Sequence, residues 1–339
     1  MRSIWIPKYG SPDVLEVRET PDPTPKEGEV RVRVRASGLN FAEVMARKGM
    51  YPDAPKLPFV AGYEVAGTID AVGPGVDASL VGKRVAALVR FGGHADVVCV
   101  PERQAFPMPD AMSFEEGAAL PVNYLTAYHM LFQVFRVKTG DRILVHMAAG
   151  GVGTAALQLA RTVPGVETFG TASASKHAYA REHGCDHPID YRTQDYVAEV
   201  KRLTNGRGVD AVFDALGGAD WRKGYEILRP SGQLVTFGWA NMSSGETRSI
   251  LTVVTQALKL TRFSPLELMN DNKGVAGVNM GHLWGEVEML RHQGETLMDL
   301  YREGKIRPHV DRVFPFAEAA AAHRHLEQAK NLGKVVLVP

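Results

Sequence analysis

The stretch Ile143-Leu144-Val145-His146-Met147-Ala148-Ala149-Gly150-Gly151-Val152-Gly153 decides the fold class. An apolar run enters a glycine-rich turn, and a helical pattern follows through Arg161, so the segment reads as strand, turn, helix. The turn is a near match to GxGxxG with Ala148 in the first glycine position. In that pattern Gly150 lets the backbone approach a pyrophosphate, and Gly153 lets the helix pack close to the strand. The helix start offers unpaired N–H groups and partial positive charge to phosphates. Ala149, Gly150, Gly151, Val152 and Gly153 are therefore candidate nucleotide contacts. There is no GxxxxGK[ST] and no GxSxG, which sets aside a P-loop and an α/β-hydrolase. His146 reads as a core residue of the strand.

Outward from this turn, the chain alternates. Strands are expected at Thr168–Thr171, Pro188–Tyr191, Val209–Asp214 and Gln233–Phe237. Helices are expected at Ser173–His183, Asp195–Leu203 and Trp221–Leu228. This texture predicts a parallel doubly wound sheet. The first third differs. Val30, Val32 and Val34 alternate with Arg31, Arg33 and Arg35, a half-buried strand over Glu29–Ala36. Val14–Glu19, Tyr63–Val72, Lys83–Val89 and Ala95–Val100 follow, separated by turns rich in glycine and proline. They predict a small antiparallel barrel or sandwich. Leu283–Glu303 reads as helix, and the tail as strand Val310–Pro315, helix Ala317–Gln328 and strand Lys334–Val338. The elements of Thr247–Gly281 stay unplaced.

The end of the second doubly wound strand carries a second signal. A site for NAD wants an acid there, to hold the ribose hydroxyls. This chain has Phe169-Gly170-Thr171-Ala172-Ser173-Ala174-Ser175-Lys176 instead. A 2′-phosphate would be repelled by a carboxylate and held by Ser173 and Lys176, so the cofactor is expected to be NADPH. The bland alternative is that Ser173 caps the next helix and Lys176 is solvated.

Composition narrows the rest. The 339 residues suggest two domains. With 39 Lys plus Arg against 38 Asp plus Glu, no net field draws in nucleic acid or an acidic membrane. Two cysteines, Cys99 and Cys185, exclude a disulfide scaffold and a four-cysteine zinc lobe, and they fit a reducing, cytoplasmic setting. Met1–Tyr9 lacks the apolar core of a signal peptide. Leu251–Leu260 and Ala148–Ala160 are too short or too rich in glycine to span a bilayer.

Gly38-Leu39-Asn40-Phe41-Ala42, Gly62-Tyr63-Glu64, Asn123-Tyr124-Leu125-Thr126-Ala127-Tyr128 and Val145 through Gly153 together resemble the medium-chain dehydrogenase/reductase superfamily, in its zinc-independent quinone oxidoreductase group. The phrase Phe169–His177, with His187-Pro188-Ile189-Asp190-Tyr191, resembles the branch of synaptic vesicle membrane protein homologues. The resemblance implies an α/β architecture. A GroES-like β-barrel catalytic domain, 1–122 and 284–339, would hold an inserted Rossmann NADPH-binding domain, 123–283. It implies a homodimer, a small quinone or α,β-unsaturated carbonyl as substrate, and a cleft where substrate and nicotinamide meet. Asn40 and Tyr51 are implied as donors to the substrate oxygen. Asn123, Thr126, Gly170, Thr171, Tyr191, Phe237 and Gly238 are implied near the cofactor.

Zinc-dependent relatives place Cys and a His–Glu pair where this chain has Asn40 and Tyr63-Glu64. A catalytic zinc needs three protein ligands, so no metal is expected. His183-Gly184-Cys185-Asp186-His187 has metal-like composition but falls in a helix–strand turn and reads as packing. Two classes of function remain open: an oxidoreductase, or a nucleotide-binding protein with little turnover in membrane- or lipid-associated transport. The Asn40–Tyr51 pair favours the first, because a binder needs no donors aimed at a reacting oxygen.

Overall fold

The computed structural model describes residues 1–242, 245–247, 255 and 261–339. The apolar stretch Leu251–Leu260 lies outside the described residues except for Thr255. The chain divides into two compact units. The first comprises Met1–Leu125, the described residues 245–247 and Met280–Pro339. The second comprises the other described residues of 126–279.

The first unit opens with eight strands: β1 (Arg2–Ile6), β2 (Glu16–Glu19), β3 (Glu29–Leu39), β4 (Phe59–Val60), β5 (Glu64–Val72), β6 (Arg84–Leu88), β7 (Val97–Pro101) and β8 (Ala105–Pro107). The second unit contributes β9 (Arg142–Val145), β10 (Glu167–Ala172), β11 (His187–Asp190), β12 (Val209–Asp214), β13 (Leu228–Thr236) and β14 (Gly274–Gly277). The tail returns to the first unit as β15 (Val310–Pro315) and β16 (Lys334–Val338).

In the first unit β3 is the spine. Val30, Val32 and Val34 face a core with Val65, Ile69, Val85, Val98 and Val100. Arg31 and Arg33 face outward, and both reach Asp70 on β5, at 2.8 and 2.5 Å. β3 pairs antiparallel with β5, β7 and β16, and β15 lies parallel to β16. A second sheet runs β2–β1–β4. The pairing of β16 with β3 sets Val335 opposite Leu39 and Val336 opposite Gly38. Phe314, Phe316, Val335 and Leu337 complete a core with Ile4 and Leu39. The tail is therefore a structural member of the first unit.

The second unit is one parallel sheet in the order β11–β10–β9–β12–β13–β14. Its first three strands add in one direction from β9 and its last three in the other. A doubly wound sheet built this way opens a crevice at the C-terminal ends of its strands. Leu144, Phe169, Val212 and Leu234 lie at its core with Val200 and Tyr196 of the helix Tyr196–Leu203.

Several elements differ from the sequence expectation. Pro12–Val14 is a single 3-10 turn, because Pro12 and the turn at Ser11 break the strand pattern. Ser173–His183 divides into a 3-10 turn and a helix, His177–Glu182. The helix expected from Leu283 begins at Val287, after a 3-10 turn at Met280–His282. The unplaced segment includes a helix, Pro265–Asp271, and the edge strand β14. No described helix is long and apolar enough to cross a membrane.

Candidate functional site

In the second unit the candidate cofactor residues from Ala149 to Gly153, Gly170 to Lys176, Tyr191, Phe237 and Gly238 lie in or after the C-terminal ends of the strands, whereas Thr126 lies on a helix before the sheet and Asn123 belongs to the first unit. β9 ends at Val145. Met147 then takes a left-handed conformation, φ +53°. The Gly150 N–H donates back to the Met147 carbonyl at 2.8 Å, and the helix Gly151–Ala160 begins. No side chain caps that helix start. A Cβ on Gly153 would overlap the Met147 carbonyl oxygen and lie 2.8 Å from the Ala148 Cα. One on Gly170 would lie 2.7 Å from the Ala148 Cβ and the Cys185 Sγ, and one on Gly238 2.9 Å from the Ala215 carbonyl oxygen. The glycines thus let the turn, β10 and the loop after β13 pack closely. This cradle, with an uncapped helix start above it, fits the pyrophosphate of a dinucleotide.

β10 ends at Ala172, level with Asp190 on β11. Ser173 follows the first strand and Tyr191 the second, so the pairing brings these two strand ends together. Ser173 is buried, and its hydroxyl does not cap the turn that follows it. It faces the Ser175 hydroxyl at 3.3 Å. Tyr191 is 53% exposed, with the Arg192 guanidinium 5.9 Å from its ring centre. Asp190 turns into its own loop, accepting from the Arg192 N–H at 3.1 Å and the Thr193 hydroxyl at 2.9 Å. Arg192 is a second cationic residue at this end that the sequence reading did not pick out. Thr171 points inward: its oxygen accepts the Met147 N–H at 3.3 Å and lies 3.0 Å from a nitrogen of His146. Asn123 and Thr126 are both buried on the helix Pro121–Tyr128. Phe237 donates its N–H to the Asp214 carbonyl at 2.9 Å.

In the first unit Asn40 caps the helix Phe41–Arg47. Its backbone N–H donates to Glu43 at 2.9 Å. Its side-chain amide is clamped at both ends. Nδ2 donates to Glu64 Oε1 at 3.0 Å and to Glu43 Oε1 at 3.3 Å, while Oδ1 accepts from the Lys334 ammonium. Lys334 also donates to Glu64 Oε1 at 2.5 Å, and Glu64 Oε2 accepts the Val122 N–H at 2.7 Å. Glu43 and Glu64 have no exposure and Lys334 only 3%. Burial pushes the Glu43 carboxyl up to about 8, against the pull of Lys334. The strand register explains the meeting: continuing the β16–β3 pairing by one residue sets Lys334 opposite Asn40. Gly38 makes room for it, since a Cβ there would lie 2.5 Å from Glu64 Oε1.

Glu64 therefore has a cation, supplied by Lys334 from the far end of the chain. The sequence reading missed Lys334 and Glu43. Glu43 had a signal, an acid three residues after a capping Asn. Among the described residues no group of three or more His, Cys, Asp or Glu side chains is placed to hold a metal ion. The residues of the His183–His187 turn have separate partners: His183 stacks on Tyr179, Asp186 accepts from Thr168, and His187 stacks on Phe169 and faces Glu167.

Tyr51 stands four residues beyond the Asn40 helix, edge-on to Tyr63 with ring centres 6.2 Å apart. Tyr63 meets Phe91 at 4.9 Å, and Phe91 meets Phe59 at 6.2 Å. Burial raises the pKa of both tyrosine hydroxyls, so each keeps its proton at neutral pH. The Tyr63 hydroxyl is buried beside that of Tyr51, with no hydrogen bond of standard geometry among the described residues. The four rings form an edge-to-face aromatic cluster, with Phe59 and Tyr63 buried and Tyr51 and Phe91 half-buried.

A family described as "Zinc-binding dehydrogenase" matches residues 183–337, and "Alcohol dehydrogenase GroES-like domain" matches residues 26–110. The synaptic vesicle membrane protein VAT-1 homolog of Rattus norvegicus is 46% identical over 341 residues, covering 100% of this chain and 84% of that protein. The quinone oxidoreductase of Pseudomonas aeruginosa is 36% identical over 340 residues, covering 100% of this chain and 99% of that protein. The crystal structure of Escherichia coli quinone oxidoreductase complexed with NADPH matches with a TM-score of 0.88 at 30% identity, covering 100% of both chains.

Proposed function

Because the chain belongs to the medium-chain dehydrogenase/reductase superfamily, we propose that it is a zinc-independent oxidoreductase that uses NADPH to reduce a quinone or an α,β-unsaturated carbonyl. When bound, NADPH supplies a hydride from nicotinamide C4. The observation that carries the cofactor choice is the end of β10. β10 itself carries no acid at its end, the neighbouring Asp190 of β11 being taken up by backbone and Thr193 donors, and Ser173, whose hydroxyl leaves the turn uncapped, stands at the same pair of strand ends as Lys176, Tyr191 and Arg192. Ser173 and Lys176 hold the 2′-phosphate in this reading, with Tyr191 against the adenosine. Gly150 to Gly153 hold the pyrophosphate, with Ala149 at the turn. Gly170 keeps the turn and β10 close. Asn123, Thr126, Phe237 and Gly238 line the path toward the nicotinamide.

The first unit supplies the donors. Tyr51 keeps its proton and, in this account, donates a hydrogen bond to the oxygen on which negative charge develops, the proton that completes the reduction coming from water. Asn40 has both N–H groups engaged. It reaches a substrate oxygen by giving up the longer of its two bonds, the 3.3 Å one to Glu43. The half-buried rings of Tyr51 and Phe91, backed by the buried Phe59 and Tyr63, are in this reading the apolar surface that meets a conjugated acceptor. Among the described residues β14 pairs only with β13, and the helix that precedes it, Pro265–Asp271, exposes Leu266 and Met269. That edge supports the homodimer in our reading, and two free thiols support a cytoplasmic setting.

The test is a pair of binding titrations with NADPH and NADH on wild type and Lys176→Ala. The variant is expected to lose about 10–100-fold of the preference for NADPH, the range of one or two charge-assisted hydrogen bonds. An unchanged preference ratio would remove Lys176 from the phosphate site.

A further inference from the structure

The second unit contains a buried polar row in which Thr171, implied near the cofactor by the family resemblance, turns its hydroxyl inward. His146 follows β9, Thr171 lies in β10 and Asp214 ends β12. The order β10–β9–β12 sets them side by side beneath the glycine turn. The side chains of His146 and Asp214 have no exposure, and Thr171 has 3%. Thr171 Oγ1 accepts the Met147 N–H, so its own proton is free to go to His146 Nδ1, 3.0 Å away. That leaves the ring proton on Nε2, which faces Asp214 Oδ2 across 3.8 Å. Neither of these two atoms has a hydrogen-bond partner among the described residues, so each is the other's polar neighbour without a hydrogen bond between them. Asp214 Oδ1 accepts the N–H groups of Leu216 at 2.7 Å and Gly217 at 2.8 Å.

Other groups around the ring are occupied. Tyr196 packs edge-on against it at 4.8 Å. Asp220 and Lys223 are the remaining charged groups that act on it. Asp220 is taken up by the Tyr196 hydroxyl and Asn241. Burial, the largest influence, holds the imidazole neutral. A neutral imidazole has one donor and one acceptor, so the row has a direction. It runs by hydrogen bonds from the Met147 N–H through Thr171 to His146, then across a 3.8 Å charge–dipole gap to Asp214, whose other oxygen holds the N–H groups of Leu216 and Gly217.

We propose that Thr171, His146 and Asp214 form one directional polar strut that fixes the Met147–Gly153 turn against the Leu216–Gly217 turn, and that cofactor affinity depends on the strut's hydrogen-bond polarity rather than on its packing volume. These are positioning residues, and the inference rests on reading the turn as a nucleotide site. The polarity can be broken without changing volume. Thr171→Val keeps the shape and removes both the acceptor for Met147 and the donor to His146. Asp214→Asn turns an N–H toward Nε2, drives the ring proton to Nδ1, and leaves Thr171 Oγ1 facing two donors. The substitution changes only the side chain and leaves the Asp214 backbone carbonyl, which accepts the Phe237 N–H, in place.

The experiment titrates purified full-length protein with NADPH by fluorescence. Thr171→Val and Asp214→Asn are each expected to raise Kd about tenfold, as for loss of one or two buried hydrogen bonds. Thr171→Ser, which restores the hydroxyl, is expected to stay within about twofold of wild type. The double variant is expected to be little worse than either single, because both break one row. Nitrogen NMR of the ligand-free protein is expected to show His146 protonated on Nε2. Wild-type affinity in Thr171→Val, or a proton on Nδ1, would overturn the strut. If Asp214→Asn fails to fold, the Val/Ser pair and the tautomer still decide. A wild-type protein that does not bind NADPH would overturn the cofactor reading and this inference together, whereas wild-type binding indifferent to Thr171→Val overturns the strut alone.

Discussion

Lys334 has no water to hold its charge, so Glu64 and Asn40 hold it instead. A lysine has only donors and a carboxylate only acceptors, and this fixes the Asn40 amide in one orientation. Replacing Lys334 with Met strands Glu64 as a buried charge and is expected to cost about 3–5 kcal/mol in urea denaturation. The double variant Lys334→Met/Glu64→Gln should recover most of that loss, and equal instability of single and double variants would contradict the pairing. Glu43 adds a pH signature. Its ordinary value is 4.5 and burial pushes it up to about 8. Its contribution is complete below the unfolded value and is lost as the pH rises toward about 8, with each unit worth about 1.4 kcal/mol. Thermal melts at about pH 5 and pH 8 should therefore show wild type losing Tm relative to Glu43→Gln. A difference between the two proteins that does not change with pH would refute the raised carboxyl. Only the Asn40–Glu43 spacing could be read from a local window. Asn40, Glu64 and Lys334 are hundreds of residues apart in part, and only strand register joins them.

Glycine placement decides how the elements close on one another. Gly153→Ala drives a Cβ into the Met147 carbonyl, a backbone atom that cannot swing aside. Overpacking of this kind is expected to cost about 1–3 kcal/mol. Calorimetry would detect it, and an alanine variant as stable as wild type would mean that the turn has slack. Strands and helices with clean periodicity were legible: Val209–Asp214, Val310–Pro315 and Lys334–Val338 have the expected bounds. What escaped notice was short or lacked a period. β1 was masked by Pro7, and β4 has two residues. β14 is Gly-Val-Ala-Gly, too small in side chains to show alternation. The helix Pro265–Asp271 did carry a start signal: Ser264 accepts the Glu267 N–H at 3.1 Å, with Pro265 in the first turn.

Across the whole molecule, the two textures of the sequence became two units because each has its own core. The barrel-like strands bury valines on one face, and the parallel sheet buries both of its faces. The return of the tail to the first unit was legible only through family resemblance, since periodicity cannot say which strand β16 joins. The strand–turn–helix around Gly150–Gly153 was readable because such a turn needs its glycines in fixed order, whereas Asn123, Thr126, Tyr191, Phe237 and Gly238 were proposed from the family resemblance alone. The acid missing after β10 was readable for the same reason. The donors were less so, because Asn40 and Tyr51 depend on neighbours that lie far off in sequence. The account's central claim is reduction of a conjugated carbonyl with NADPH at Tyr51. The direct measurement follows NADPH absorbance with purified protein against a panel of quinones and enones, for wild type and Tyr51→Phe. The account predicts rapid oxidation with at least one acceptor and a loss of about 10²–10³-fold in kcat in the variant, as for removal of one oxyanion donor. Tight NADPH binding with no oxidation across the panel would contradict it and favour a nucleotide-binding protein without turnover.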